Sequence, residues 1–254
     1  MAKKSLLIYE NAVPLSKEVH RNLSVDFSGG YGFAAELNTI PVVAEEFPLV
    51  AAGLPIIFAQ SEKGAMPSAL VGLRNNENLC VSEDGQWQGR YLPAFLRRYP
   101  FVFSKDEGRN NYVLCIDSSF SGLNDQGKGD KLFDDNGEAS EFTKDKLGLT
   151  TSFQKQFQIT RDFGERLVEL DLLRDGEVQF QTPSGDKGVT KGFMTVDHDK
   201  LMSLSEGELG ALAKSGDLEL IHIHIQSLRN VEVLGRALIQ HLQAERPDAS
   251  SKDT

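Results

Sequence analysis

Two histidines stand one residue apart at His222-Ile223-His224. Imidazole is the commonest metal ligand among side chains. In a strand, residues i and i+2 point to the same face, as two ligands of one metal must. Leu218 to Ile225 alternates apolar and polar residues in a way that a strand accepts. The set is incomplete, because Leu228 and Arg229 stand where a carboxylate ligand would close it. The sequence therefore predicts no metal, with His222 and His224 in a packed strand. A metal pair, or an active site using the two imidazoles, is the alternative.

A second constellation follows the only tryptophan, Trp87. From Gly89 to Phe101 aromatic residues and arginines alternate, with Arg90, Tyr91, Phe95, Arg97, Arg98 and Tyr99 in thirteen residues. Such mixtures are enriched where proteins bind partners, since each side chain brings area together with a polar group. A short amphipathic helix is the other reading. Tyr91, Leu92, Phe95 and Tyr99 would share one face on the core, with the arginines at its rim. Trp87, Arg90, Tyr91, Arg97, Arg98 and Tyr99 are the candidate binding residues. An acidic group, from the same chain or from a carboxylate-bearing ligand, is what the arginines would hold.

Other chemistry lacks its signature. Asp117-Ser118-Ser119-Phe120-Ser121-Gly122 has no leading glycine for a nucleophile elbow. Gly127-Lys128-Gly129 is not a phosphate or dinucleotide loop, so no cofactor is expected. Asp130, Asp134, Asp135 and Glu138 lack the spacing of a calcium loop. His20 has no evident partner, Asp197 is placed to cap a helix at His198, and His241 falls on a terminal helix. Cys80 and Cys115 lie in apolar stretches and read as reduced, buried thiols.

With 27 Lys and Arg against 37 Asp and Glu, the net charge is −10. That balance, without a Lys/Arg run longer than Lys3-Lys4 or Arg97-Arg98, argues against nucleic acid and against an anionic membrane surface. The apolar run after Lys3-Lys4 is too short for a signal peptide, and Leu49 to Ala59 is too short to span a bilayer. The expected location is cytoplasmic.

The elements that position these residues divide the chain. Seven of the nine prolines precede residue 101, which disfavours long helices there. Thr39 is expected to cap a short helix with Pro41 in its first turn, ended or kinked by Pro48. Ile56–Ala59, Ala69–Leu73 and Asn78–Val81 read as a meander, with turns at Glu62-Lys63-Gly64 and Asn75-Asn76-Glu77. Two strands follow, Phe101–Phe103 and Tyr112–Ile116, joined at Asp106-Glu107-Gly108. Residues 118–148 read as a mobile Gly-rich surface segment with a turn at Asp134–Gly137. Residues 149–174 predict a helix burying Phe153, Phe157, Leu167 and Leu170, with pairs Asp162–Arg166 and Arg161–Glu165 and a stop at Asp175-Gly176. A hairpin turning through Pro183 is next, then a helix from the capping box Ser205/Glu208 to Gly216. A last helix runs from about Val231 to Leu242. The fold class is α+β, an antiparallel sheet in the N-terminal half and a mainly helical C-terminal half with one hairpin. Its parts are 1–117, 118–148, 149–244 and a flexible tail 245–254, or one integrated domain.

Several stretches resemble the SapC family of bacterial proteins: Pro14-Leu15-Ser16, His20–Leu23, Ile40–Pro48, Leu54–Phe58, Gly72–Leu79 and above all Tyr91–Phe101. Later ones are Gly192-Phe193, Val196-Asp197, Lys200-Leu201 and Leu218–Leu228. The resemblance runs over about residues 5–243. It implies no reaction and carries no catalytic residue. Because that family is named for an association with surface-layer genes, it implies an accessory or binding protein of the cell envelope. The expected partner is a protein, a peptide or a glycan-linked molecule.

Overall fold

The computed structural model describes residues 7–61, 64–106, 111–182, 185 and 187–244. The turn residues Glu62, Lys63, Glu107, Gly108 and Pro183, the Lys3-Lys4 pair and the tail 245–254 lie outside them.

In chain order the first half holds β1 (Ala12–Pro14), α1 (Lys17–His20), β2 (Ser24–Val25), β3 (Thr39–Pro41), α2 (Phe47–Ala51), β4 (Ile56–Ser61), β5 (Gly64–Leu70), α3 (Ala94–Arg97), β6 (Phe101–Asp106) and β7 (Asn111–Asp117). Then come β8 (Leu123–Asn124), β9 (Asp130–Lys131), α4 (Glu141–Glu169), β10 (Leu173–Gln181), β11 (Lys187–Val196), α5 (His198–Met202), α6 (Glu206–Ser215), α7 (Asp217–Ser227) and α8 (Val231–Ala244). The class is α+β, with antiparallel pairing throughout. A five-stranded sheet runs β10-β11-β4-β5-β3, and two three-stranded sheets run β1-β7-β6 and β8-β2-β9. No helix among the described residues is long and apolar enough to cross a membrane.

The long helix α4 is the spine. Its spacing buries Phe153, Thr160, Phe163 and Leu167, and packs Phe157 and Leu170 half-buried against the same core. At Gly164 the helix backbone meets β5, where a Cβ would come 1.7 Å from the Ala65 carbonyl oxygen. Thr160 Oγ1 accepts from the Ala44 N–H at 2.8 Å, tying α4 to the turn before α2.

Several expectations are corrected. Thr39–Pro41 is a strand paired with β5, and Pro48 stands in the first turn of α2, where its missing N–H costs nothing. Asn78–Val81 is no strand. The Asn78 side chain donates to the Ala34 carbonyl and accepts from the Cys80 N–H, which curls the backbone locally. Residues 118–148 are structured. They supply β8 and β9 to either side of β2, bury Leu132 and Phe133, and open α4 at Glu141 behind the Ser140 cap. Glycine is needed there for contact as well as for turning: Gly129 has φ +78, and a Cβ would sit 2.2 Å from the Val25 carbonyl oxygen. The turn at Asp134–Gly137 is present.

α4 also ends before the expected stop. Asp171 takes a left-handed φ of 50, and Asp175-Gly176 lies inside β10, beside a bulge. Arg161 pairs with Glu165, but Arg166 reaches Asp217 on α7 with two hydrogen bonds of 2.6 and 2.9 Å instead of Asp162. The capping box and Gly216 bound α6 as the sequence predicts.

Candidate functional site

Leu218–Ile225 is helix, not strand. The residues that α7 buries, Asp217, Ile221, His224 and Ser227, recur at intervals of four and three, a period the apolar-polar alternation hides. Two residues apart on a helix point about 200° away from each other. His222 accordingly lies exposed in a shallow cleft with Glu219, Ile223 and Arg229, and His224 is fully buried. His224 Nε2 accepts from the Val196 N–H at 3.0 Å, and its Nδ1–H donates to the Ile56 carbonyl at 2.9 Å. Both nitrogens are used in joining α7 to β11 and β4. Burial pushes its pKa down to about 4, against a smaller opposing effect of the Ile56 hydrogen bond. Among the described residues no group of three or more His, Cys, Asp or Glu side chains is arranged to hold a metal ion.

The segment 87–101 does not form one amphipathic helix. Only Ala94–Arg97 is helical, because Pro93 begins it and the aromatics go three separate ways. Trp87 is half-buried, donating from Nε1 to the Tyr91 carbonyl at 3.1 Å. Tyr91, also half-buried, donates its hydroxyl to Glu46 Oε1 at 2.8 Å and receives Arg97 Nη2 at 2.8 Å. Glu46 is the residue that sequence reasoning passed over. It is buried, and it also accepts from the Ala94 and Val43 N–H groups. It thus joins the stretches 40–48 and 91–101. Burial, followed by the negative charge of Glu46, pushes the Tyr91 phenol up to about 12.

The arginines divide as well. Arg97 is exposed, with Nε on the Leu92 carbonyl, and its own carbonyl accepts from Lys146 Nζ at 3.0 Å. Arg98 is not at a rim: it is 6% exposed, with its guanidinium 4.2 Å from the ring centre of Phe153, 5.1 Å from Phe95 and 5.6 Å from Tyr9. Its Nε has no hydrogen-bond partner among the described residues, and desolvation lowers its pKa. Tyr99 is buried between Phe33, Phe120 and Tyr9, its hydroxyl 3.4 Å from Oδ2 of the fully buried Asp117. The N–H groups of Glu10, Asn11 and Ser119 all donate to that carboxylate. The exposed aromatic patch that a binding surface would need is therefore absent from this segment among the described residues.

Arg90 lines a cleft instead. It is exposed at the mouth of a cleft of about 700 Å³ between the 79–90 loop and α8. Its stem lies along Gly53, and Nη1 reaches the Ala52 carbonyl at 3.5 Å. Val233, Leu234 and Ala237 of α8 and Leu54 and Leu79 opposite make the apolar walls. Cys80, Gln88, Gln240 and His241 add polar groups. Asn230 donates to the carbonyls of Ala51 and Leu54 and fixes that edge. Burial pushes the Cys80 thiol up to about 12, so it is protonated and unreactive at neutral pH. No sequence signal marked this cleft, because its two walls are about 150 residues apart in the chain.

A family model described as SapC matches residues 15–234. No curated protein and no solved structure matches the chain.

Proposed function

The chain belongs to the SapC family, and from that premise we propose that it is a non-catalytic accessory protein that holds a segment of a partner peptide in the cleft between the 79–90 loop and α8. The cleft carries this reading. Its volume of about 700 Å³ lies in the range of small-ligand sites. One side is an apolar helix face and the other a loop, and the thiol in its lining is held protonated. The proposed setting is the cytoplasmic side of cell-envelope or surface-layer processes, an assignment that rests on what the family is named for. Nothing in the positions of His222 and His224 favours an enzyme built on them.

The test is a photo-crosslinker placed at Ala237 and, as a control, at the exposed Lys214 of α6. Ala237 should give one discrete adduct in native cells, mapping to a peptide segment, and Lys214 should not. Equal adducts at both positions, or none at Ala237, would remove the cleft as the site.

A further inference from the structure

The chain carries 37 acidic residues and a net charge of −10, yet not one Asp or Glu is among the described residues that line the cleft at α8. The charged side chain there is Arg90. The lining thus sets one guanidinium beside an apolar floor, with no carboxylate in the lining to neutralise it. The exposed Arg90 guanidinium has one long contact among the described residues, with the Ala52 carbonyl at 3.5 Å. A guanidinium fork matches a carboxylate with two parallel hydrogen bonds.

The rest of the lining suits a peptide end. Gln88 on the loop and Gln240 on α8 both line the cleft, and neither side chain has a hydrogen-bond partner among the described residues. Each carboxamide offers a donor and an acceptor, the same pair that a peptide group presents. Leu79, Val233 and Ala237 form a surface for one apolar side chain.

We infer that the cleft recognises the free C-terminal carboxylate of a partner peptide ending in an apolar residue. The carboxylate sits on Arg90, the last peptide groups on Gln88 and Gln240, and the terminal side chain on the α8 wall. The inference rests on the cleft being the peptide site.

The experiment titrates the full chain by fluorescence anisotropy against pools of short randomised peptides ending in Leu or Val, each made as the free acid and as the C-terminal amide. The wild type should bind the free acids about tenfold more tightly than the amides. In Arg90→Gln that preference should collapse to within about twofold. Ala237→Trp fills the cleft and should abolish binding of both pools. If the wild type treats acid and amide alike, or if Arg90→Gln keeps the preference, the carboxylate inference falls while the cleft survives. If Ala237→Trp binds as the wild type does, or if neither a peptide pool nor octanoate binds, both fall. Saturable binding of octanoate without binding of any peptide pool would overturn the peptide end and leave a small carboxylate as the occupant.

Discussion

His224 ties pH to stability through two backbone groups. It is neutral when folded, since its Nε2 must accept from Val196 and its only ring proton goes to Ile56. Charging it would turn an acceptor into a donor facing an N–H. Its pKa falls from 6.5 to about 4 on folding, so between those values the unfolded chain binds the extra proton and the native one does not. Stability therefore falls as pH drops from about 6.5 to about 4, by roughly 3 kcal/mol for this group, and changes no further from this cause below about 4. His224→Gln keeps a donor and an acceptor without a titration. Urea melts across that window should show a flatter pH dependence for the variant, and parallel curves would mean that His224 is not the group responsible. The same residue shows where sequence reading stops. That a histidine stood here among apolar residues was legible, but whether its partners were a metal or two peptide groups depended on strands about 30 and 170 residues away. Arg97 and Arg98 make the same point, because adjacent positions at the end of α3 send one guanidinium to solvent and the other among three rings.

At the level of elements, α4 is the one most legible in the sequence, since its apolar spacing of three and four survives in the buried face. Its true start was hidden by Gly148 and by the charged run around it, a stretch whose composition reads as loop. The two glycines of the helix separate propensity from packing. A Cβ added at Gly148 would meet nothing within 4 Å, so Gly148→Ala should stabilise the protein by about 1 kcal/mol through helix propensity alone. At Gly164 the same change gains the same propensity but drives a methyl group into the Ala65 carbonyl. α4 must then lift off β5, and the variant should lose about 3 kcal/mol or more. Denaturant midpoints for the two variants should move in opposite directions. A Gly164→Ala protein as stable as the parent would show that the helix-to-strand contact is looser than its geometry states.

At the scale of the whole molecule, the division at 118–148 that composition suggests meets a sheet that crosses it. β4 and β5 come from the first half and β10 and β11 from the second, and Met194 pairs with Phe58 where they join. α4 lies on β5 and β6, and Ser227 and His224 of α7 hold both the N–H and the carbonyl of Ile56. Pairings of this range have no local signature, so composition marks a division that this sheet crosses. Removing the second half would leave β4 as a bare edge and uncover Phe58, Ile56 and Ala65. The halves should then unfold together. The chain contains probes for this: Trp87, the only tryptophan, reports on the first half, and helical ellipticity is dominated by α4 to α8 of the second. In a urea titration the two signals should trace one transition with a common midpoint, as a cooperative unit requires. Ellipticity lost at a clearly different urea concentration from the tryptophan signal would mean that the contacts across β4 and β11 are too weak to couple the halves, and that the chain folds as two domains after all.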